Sequence, residues 1–301
     1  MVVVEFEVPT LAGAEAVASR IAAAAEAPPP TEAPDPSSGM LPPGRAMRLC
    51  DELFRDHPGA LIRERCRDEM FAKDEEESVR DLVYGEFGFL SLVAFFKKHR
   101  TSIPRAGATC YDLGSGVGRP VFAAATLHPF AKVVGMECLE GLNALGAELA
   151  RLYAAEVAPR VTAAMRAHAD ADAGTSAAAP PPTAKAPAVE LVRCDFMADD
   201  RWGEADVVLV NSCCFSEDLF AGIEARASEL LRPGALVVTL RQRFASVEAR
   251  ASSEAATGVD GGDVETGGAC WELLEASERR MSWGPSMMFV YRRTAAPPPP
   301  R

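Results

Sequence analysis

The chain of 301 residues is 48% apolar, which is enough to bury one large hydrophobic core. No apolar run reaches the roughly 18 residues of a membrane span, and the first residues lack the basic region of a secretory signal. The net charge of −12 argues against strong direct binding to nucleic acid, because that binding needs Lys and Arg to meet phosphates. A basic protein partner fits this charge better, and no membrane partner is expected.

The cysteines favour a reducing, intracellular location. Eight are scattered along the chain, none forms a C-x-x-C pair, and only four histidines accompany them. Neither a disulfide framework nor a zinc site is expected, so we predict no metal. Cys213 and Cys214 are neighbours that oxidants could reach, although burial as small apolar groups is the more common role of cysteines.

Low-complexity sequence precedes helical patterns in the first third of the chain. Residues 1–45 are rich in Ala and Pro, which predicts a helix at about 11–27 followed by an extended linker. Apolar residues then recur at helical spacing, and a helix from about 90 to 98 ends in basic residues, as a helix C-terminus favours. We therefore predict a helical lead-in over 46–108.

Strand and helix patterns alternate from residue 109 to 294. Predicted strands are at 109–113, 132–137, 189–194, 206–211 and 234–240, predicted helices are at 118–127, 141–157 and 217–231, and a hairpin near 271–278 and 286–293 closes the core. Because this alternation implies right-handed crossovers, we predict an α/β fold. The prediction is a Rossmann-like, seven-stranded, mostly parallel sheet with helices on both faces.

Two low-complexity stretches interrupt this core, and a third ends the chain. Residues 158–188 are rich in Ala and Pro, and residues 249–269 are rich in Ala, Ser, Gly and Asp. Both are predicted to be mobile insertions. Residues 295–301 form a Pro-rich tail.

The segment from Asp112 to Gly118 carries the strongest functional signal. A β-prone run ends at Asp112, and Gly114, Gly116 and Gly118 follow before an apolar helix pattern. Strand, glycine turn and helix bring a nucleotide-like ligand to the carboxyl end of a parallel sheet. The third glycine comes one position earlier than in the dinucleotide fingerprint, and an acid at Asp112 would repel a pyrophosphate. A carboxylate there suits the ammonium and sulfonium of S-adenosylmethionine.

Two more acids end the next predicted strands. Glu137 follows Asp112 at about the 20-residue separation expected of an acid that binds ribose hydroxyls. Asp195 ends the third strand beside Phe196, where the carboxylate suits the adenine amino group and the ring suits the base. A single acid of this kind often faces solvent without a ligand. Three in succession favour S-adenosylmethionine as the cofactor.

Six short motifs occur in an order known from one enzyme family. They are Tyr84-Gly85-Glu86, the glycine turn at 112–118, Gly135-Met136-Glu137, Cys194-Asp195-Phe196-Met197, the run from Val208 to Asn211, and Ser282-Trp283-Gly284-Pro285. This order resembles the catalytic domain of the disruptor-of-telomeric-silencing (Dot) histone-lysine methyltransferases, over roughly residues 75–294. The resemblance implies a class I, seven-stranded chromatin enzyme that methylates a core histone or nucleosome in the nucleus.

The resemblance also implies the site residues. The implied cofactor-binding residues are Tyr84, Gly85, Glu86, Asp112, Gly114, Gly116, Gly118, Glu137, Asp195, Phe196 and Asn211. Three residues are candidates for catalysis: Asn211 at the mouth of a lysine channel, Phe289 near the position of the family's channel-wall Tyr, and Glu86 as a weak candidate base. Other candidates to line the channel are Phe215, Trp283, Met287 and Met288. The alternative is that most of them are core residues, and for the two methionines we prefer the core.

The chain departs from the family at several points. Phe87 stands where a polar residue is usual, Arg119 where the family has Gln, and Ser212 where a second Asn is common. The strongly basic extension is missing. Two alternatives therefore stay open. One is a methyltransferase of the same scaffold that acts on a non-histone protein or a small molecule, in the cytoplasm, and the other is a non-catalytic adenosylmethionine-binding module.

Overall fold

The structure of this chain, a computed structural model, describes residues 11–26, 40–71, 85–104, 107–173, 185–248 and 270–294. Several predictions lie outside these residues. They concern Tyr84, the linker after residue 26, the insertion at 249–269 and the tail at 295–301.

Four α-helices in the described ranges precede the first strand. They are α1 (Leu11–Glu26), α2 (Pro43–Leu53), α3 (Gly59–Phe71) and α4 (Phe89–His99). Pro43 begins α2, where its fixed φ suits the first helical turn and its missing N–H costs nothing. Leu49 and Leu53 on α2 are buried, and Phe54 meets Phe122 edge to face with ring centroids 5.5 Å apart. Helices α2, α3 and α4 lie in or next to the region 46–108 for which the sequence predicts a helical lead-in, and residues 72–84 of that region lie outside the described residues.

The strands form one sheet of mixed direction. They are β1 (Thr109–Leu113), β2 (Lys132–Glu137), β3 (Ala188–Arg193), β4 (Val207–Val210), β5 (Leu236–Leu240), β6 (Trp271–Met281) and β7 (Gly284–Arg293). Their order is β3-β2-β1-β4-β5-β7-β6. The first five strands pair in parallel, and β7 pairs antiparallel with both β5 and β6.

Helices cover both faces of this sheet. Those of the core are α5 (Arg119–Leu127), α6 (Glu140–Leu152), α7 (Ala158–Ala173) and α8 (Glu217–Leu230). Phe95 and Phe122 are buried in the core on one face, and Trp202 and Ile223 in the core on the other. Strands β4 and β5 are buried along their whole length because they have a core on each side. The predicted Rossmann-like α/β fold is confirmed.

The stretch at 158–173 is helical, which corrects the prediction of a mobile insertion across 158–188. Helix α6 continues through a π-helical turn at Tyr153–Val157 into α7. Val157 and Val161 are fully buried, and the Ala-rich sequence favours a helix once such contacts hold it. Strand β3 also begins inside the predicted insertion, at Ala188.

Within the described ranges, no helix has the length and apolar character to cross a membrane.

Candidate cofactor and acceptor site

The glycine turn joins β1 to α5 at the carboxyl end of the sheet. Gly114, Gly116 and Gly118 have φ values of 74°, 56° and 89°, in the left-handed region that glycine enters without a Cβ clash. The backbone N–H groups of Gly114 and Ser115 donate to the carbonyl of Met136 on β2, at 2.9 and 3.0 Å. The turn is therefore folded against the neighbouring strand, as the strand–turn–helix prediction requires.

Asp112 is buried below this turn without a full set of partners. Its side chain is 1% exposed, and no described residue hydrogen-bonds its Oδ2. Burial, together with the nearby carboxylates of Glu137 and Glu86, raises the pKa of Asp112 to about 8. An unpaired buried carboxyl is costly, and a cation beside it removes that cost. The buried, incompletely paired carboxyl of Asp112 therefore fits the ammonium end of an amino-acid-like ligand.

Glu137 holds the turn in shape from the end of β2. Its Oε2 accepts from the N–H of Gly116 and its Oε1 from the N–H of Leu139, each at 2.8 Å. Burial raises the pKa of Glu137, and these backbone hydrogen bonds oppose that rise. Each carboxylate oxygen has a second lone pair, so the ribose contact stays a prediction. In the described ranges no three His, Cys, Asp or Glu side chains are grouped as metal ligands would be.

Two phenylalanines stand beside the glycine turn. The ring centroids of Phe196 and Phe215 are 6.1 Å apart, and both side chains are half-buried. A Cβ on Gly114 would lie 3.4 Å from Cζ of Phe215. Asp195 is exposed and accepts from the N–H of Met197 at 2.8 Å, which fixes the turn after β3. Phe196 and Phe215 thus form an apolar wall at the position predicted for adenine.

Asn211 connects the end of β4 to the segment that follows Tyr84. Its Nδ2 donates to the carbonyl of Gly85 at 2.7 Å, and no described residue hydrogen-bonds its buried Oδ1. A Cβ on Gly85 would lie 2.8 Å from Cζ3 of Trp283, which is closer than real contacts allow. The structure therefore brings Gly85, Asn211 and Trp283 together, although more than 60 residues of sequence separate each from the next.

Arg119 has a part in the site that the sequence did not show. Its Nε lies 3.0 Å from Oε1 of Glu86, and its NH2 donates to the carbonyl of His57 at 2.8 Å. Its guanidinium also lies 4.2 Å from the ring centroid of Phe54. Because Glu86 is ion-paired, it is a poor proton acceptor and is better suited to holding its loop in place. In the sequence, the only signal for Arg119 was that it stands where the Dot family has Gln.

A cavity of about 780 Å³ opens beside Asn211 and Gly85. The cavity wall is formed by α3, the segment at Gly85, the ends of β4 and β5, and the β6–β7 hairpin. The lining residues are Arg63, Gly85, Asn211, Cys213, Cys214, Arg241, Glu278, Ser282, Trp283, Pro285, Ser286 and Met287. The side chains of Trp283 and Met287 are 42% and 38% exposed. These two expected channel residues therefore line the cavity.

Phe289 and Met288, two other candidates for the channel, do not line this cavity. Phe289 is 5% exposed and Met288 is fully buried, because β7 lies between two strands with a core on each face. Phe289 packs near Tyr291, with ring centroids 6.5 Å apart, and lies under the guanidinium of Arg243. The structure thus places Phe289 in the core and not among the residues that line the cavity.

Gln242 fixes the turn that follows Asn211. Its Nε2 donates to the carbonyls of Ser212 and Phe215, each at 2.7 Å. The hydroxyl of Ser212 donates to the carbonyl of Leu240 at 2.6 Å. These bonds hold the ends of β4 and β5 together, where open parallel sheets bind ligands. In the sequence, the only signal for Gln242 was its position just after the end of β5.

Three solved structures with a similar fold are methyltransferases. Ribosomal protein L11 methylase from Lactobacillus delbrueckii subsp. bulgaricus is 12% identical with a TM-score of 0.40, and 68% of this chain aligns with 78% of that one. Magnesium protoporphyrin IX methyltransferase from Synechocystis PCC 6803, solved with bound SAH, is 10% identical with a TM-score of 0.39, covering 81% and 92%. Precorrin-6y C5,15-methyltransferase from Geobacter metallireducens GS-15 is 11% identical with a TM-score of 0.36, covering 68% and 88%.

No family model matches the chain, and no curated protein matches it in sequence. The TM-scores of the three structures are too low to carry an argument about activity. The fold class follows from the chain itself. Five parallel strands in the order β3-β2-β1-β4-β5, an antiparallel hairpin at one edge and a glycine turn after β1 define a Rossmann-like α/β fold.

Proposed function

We propose that this protein is an S-adenosylmethionine-dependent methyltransferase. The observation that carries the proposal is the buried, incompletely paired carboxyl of Asp112 below a turn of three left-handed glycines. A carboxyl in this place fits the ammonium of the cofactor's amino-acid end, and the turn leaves room for that ligand against the backbone. A nucleotide pyrophosphate would meet a carboxylate there instead.

The other residues at the strand ends fit the remaining parts of this cofactor. In this proposal Glu137 accepts from the ribose hydroxyls, and Asp195 accepts from the adenine amino group. Phe196 and Phe215 supply an apolar surface for the base. When bound, S-adenosylmethionine would supply an electrophilic methyl group to an uncharged nucleophile, with the neutral thioether S-adenosylhomocysteine as the leaving group.

Asn211 is the residue placed to orient the acceptor. Its amide nitrogen is bound to the carbonyl of Gly85, which leaves Oδ1 to accept a hydrogen bond from an incoming amine. Orientation of the nucleophile at near-attack distance supplies most of the rate enhancement in such a transfer. An amine must arrive neutral, and removal of water beside the indole of Trp283 would lower its pKa. The amine proton then leaves through the cavity to solvent.

The acceptor we propose is a lysine of a protein, with a core histone or nucleosome as the substrate that the motif order implies. Support comes from the motifs themselves, from Asn211 and Trp283 at one cavity, and from the net charge of −12, which suits a basic partner. In this case the protein would act in the nucleus.

A second acceptor class is favoured by the size of the cavity. A volume of about 780 Å³ exceeds what one lysine side chain fills and lies within the range of small-molecule sites. The same chemistry would then act on a small molecule or on a non-histone protein in the cytoplasm.

One labelling experiment tests these proposals together. The protein is incubated with methyl-labelled S-adenosylmethionine and, separately, with nucleosomes, free histones or a cell extract divided into protein and small-molecule fractions. Label on a core histone supports the first acceptor, and label elsewhere supports the second. Absence of label in every arm, with S-adenosylhomocysteine still bound, would refute the catalytic proposal and favour a binding module. Asp112→Asn should remove label, whereas Asp68→Asn, an exposed acid on α3, should not.

A further inference from the structure

The cavity beside Asn211 presents cationic groups that methyl transfer does not itself require. Arg63 on α3 and Arg241 after β5 both line it, and Glu278 on β6 is the single carboxylate among the lining residues. All three side chains are exposed. In a chain with twelve more acidic than basic residues, a cavity with an excess of guanidinium groups runs against the overall charge.

Arg241 holds its place in an unfavourable backbone conformation. Its φ is 65°, and it is the non-glycine residue with positive φ among those the structure describes. Its N–H donates to the carbonyl of Met287 at 2.7 Å, which joins the end of β5 to the hairpin. Glycine would fit this conformation without strain. A strained residue in a cavity wall indicates that its side chain has a use there.

The guanidinium of Arg241 still has donors for a ligand. One nitrogen donates to the carbonyl of Cys213 at 3.2 Å, and the group has five N–H donors in all. Arg63 has neither a hydrogen bond nor an ion pair with any residue that the structure describes. A planar guanidinium with free donors binds carboxylate or phosphate in two-point fashion.

We propose that Arg63 and Arg241 bind an anionic group, a carboxylate or a phosphate, on the methyl acceptor. This inference rests on the proposed methyltransferase function. The acceptor would place its nucleophile at Asn211, its apolar part against Trp283 and Met287, and its anion at the two guanidinium groups. Glu278 on the same wall would repel an anion that bound away from the arginines.

Binding of simple probes tests this without any turnover. Protein saturated with S-adenosylhomocysteine is titrated with phenyl phosphate, benzoate and the neutral benzyl alcohol, and the heat of binding and Trp fluorescence are recorded. The anions should bind at least ten times more tightly than benzyl alcohol. Arg241→Gln and Arg63→Gln should each weaken the anions at least tenfold, since a charge-assisted hydrogen bond is lost. Benzyl alcohol should bind all forms equally.

Arg166→Gln is the matched control, because it removes the same charge from an exposed position on α7 outside the cavity. Arg241→Gly is a second variant, which relieves the backbone strain, so it should raise Tm while it weakens the anions. Equal weakening by Arg166→Gln, or equal binding of benzyl alcohol and the anions, would overturn the proposal. Failure of the unmodified protein to bind S-adenosylhomocysteine would instead overturn the proposed function.

The source of the anion is resolved in a labelling arm. Lysine peptides with acidic neighbours are compared with the same peptides carrying Ala neighbours, alongside the small-molecule fraction of an extract. Faster labelling of the acidic peptides, or of anionic small molecules, is expected, and Arg241→Gln should abolish that preference. Label confined to neutral acceptors would refute the anion site.

Discussion

Asp112→Asn should stabilise the free protein and strongly weaken cofactor binding. The folded protein holds the Asp112 carboxyl in a buried site beside two other carboxylates, where its pKa is about 8 against an ordinary value of 3.8. Asparagine has nearly the same shape and no charge. The substitution therefore removes the cost of keeping this group protonated and also removes the charge that would bind an ammonium.

The size of the effect follows from the pKa. Between pH 3.8 and 8 the unfolded chain has released the Asp112 proton while the folded chain keeps it, so stability falls as pH rises. At pH 7 the pH is about three units above the ordinary pKa, which corresponds to about 4 kcal/mol. The buried amide still lacks a partner, so we expect a gain of about 2–4 kcal/mol in the free energy of unfolding. The gain should disappear near pH 4.

The affinity for S-adenosylhomocysteine should change in the opposite direction to the stability, both with pH and on substitution of Asp112. In the unmodified protein its ammonium binds the ionised carboxyl, so affinity should rise up to about tenfold per pH unit from pH 6 to 8 and then level off. Asp112→Asn should lower affinity at pH 8 by about 100-fold or more, because a buried charge partner is lost, and should flatten this pH profile.

Thermal unfolding and calorimetric titration at several pH values check both effects, with Asp68→Asn on the exposed face of α3 as the matched control. A variant that loses stability at pH 7, or that binds S-adenosylhomocysteine as tightly as the unmodified protein, would refute the reasoning.

Three further substitutions test other parts of the structure. Gly118→Ala should lower stability and cofactor affinity more than Gly107→Ala. Both glycines have positive φ, but only a Cβ added at Gly118 would meet Leu191, at 3.0 Å. Equal losses from the two substitutions in unfolding and binding assays would contradict this. Arg119→Gln should cost about 1–3 kcal/mol of unfolding free energy and weaken cofactor binding, because the contacts of Arg119 with Glu86, the carbonyl of His57 and the ring of Phe54 are lost. Denaturant unfolding measures this loss. An unchanged free energy of unfolding would contradict the idea that Arg119 holds the loop at Glu86. At Glu275 burial would raise the pKa, but hydrogen bonds from Ser277, His99, Lys98 and Arg279 outweigh it and lower the pKa to about 2. The Glu275 carboxylate therefore adds about 3 kcal/mol of stability above pH 4.5, which is lost as pH falls toward 2. Glu275→Gln should remove this pH dependence of stability in acid unfolding, whereas Glu272→Gln, at an exposed position, should keep it.

The local parts of the site were predictable because their geometry depends on neighbouring residues. The turn from Gly114 to Gly118 needs left-handed backbone, and glycine enters that region freely. The strand ending in Asp112 and the buried runs of β4 and β5 carry their own apolar patterns. Most helix and strand bounds fell within two or three residues of prediction for this reason.

Composition was a poorer guide than contacts. Low complexity at 158–173 indicated a mobile insertion, yet the segment forms α7, because Val157 and Val161 find a buried surface that the sequence pattern does not display. Phe289 and Phe215 were both candidates for one channel. The structure places Phe289 in the core and Phe215 beside the glycine turn, since side chains on a strand and on a loop reach different neighbours.

The sequence by itself determined the alternation of strands and helices, the glycine turn and the three acids at strand ends, since each depends on residues close together in the chain. Only the tertiary structure decided that Asp112 is buried and incompletely paired, that Arg119 holds Glu86, and that Arg63 and Arg241 share a cavity with Asn211. These features arise where segments far apart in sequence meet at the carboxyl edge of one sheet, and burial and charge at such a meeting are properties of all the segments together.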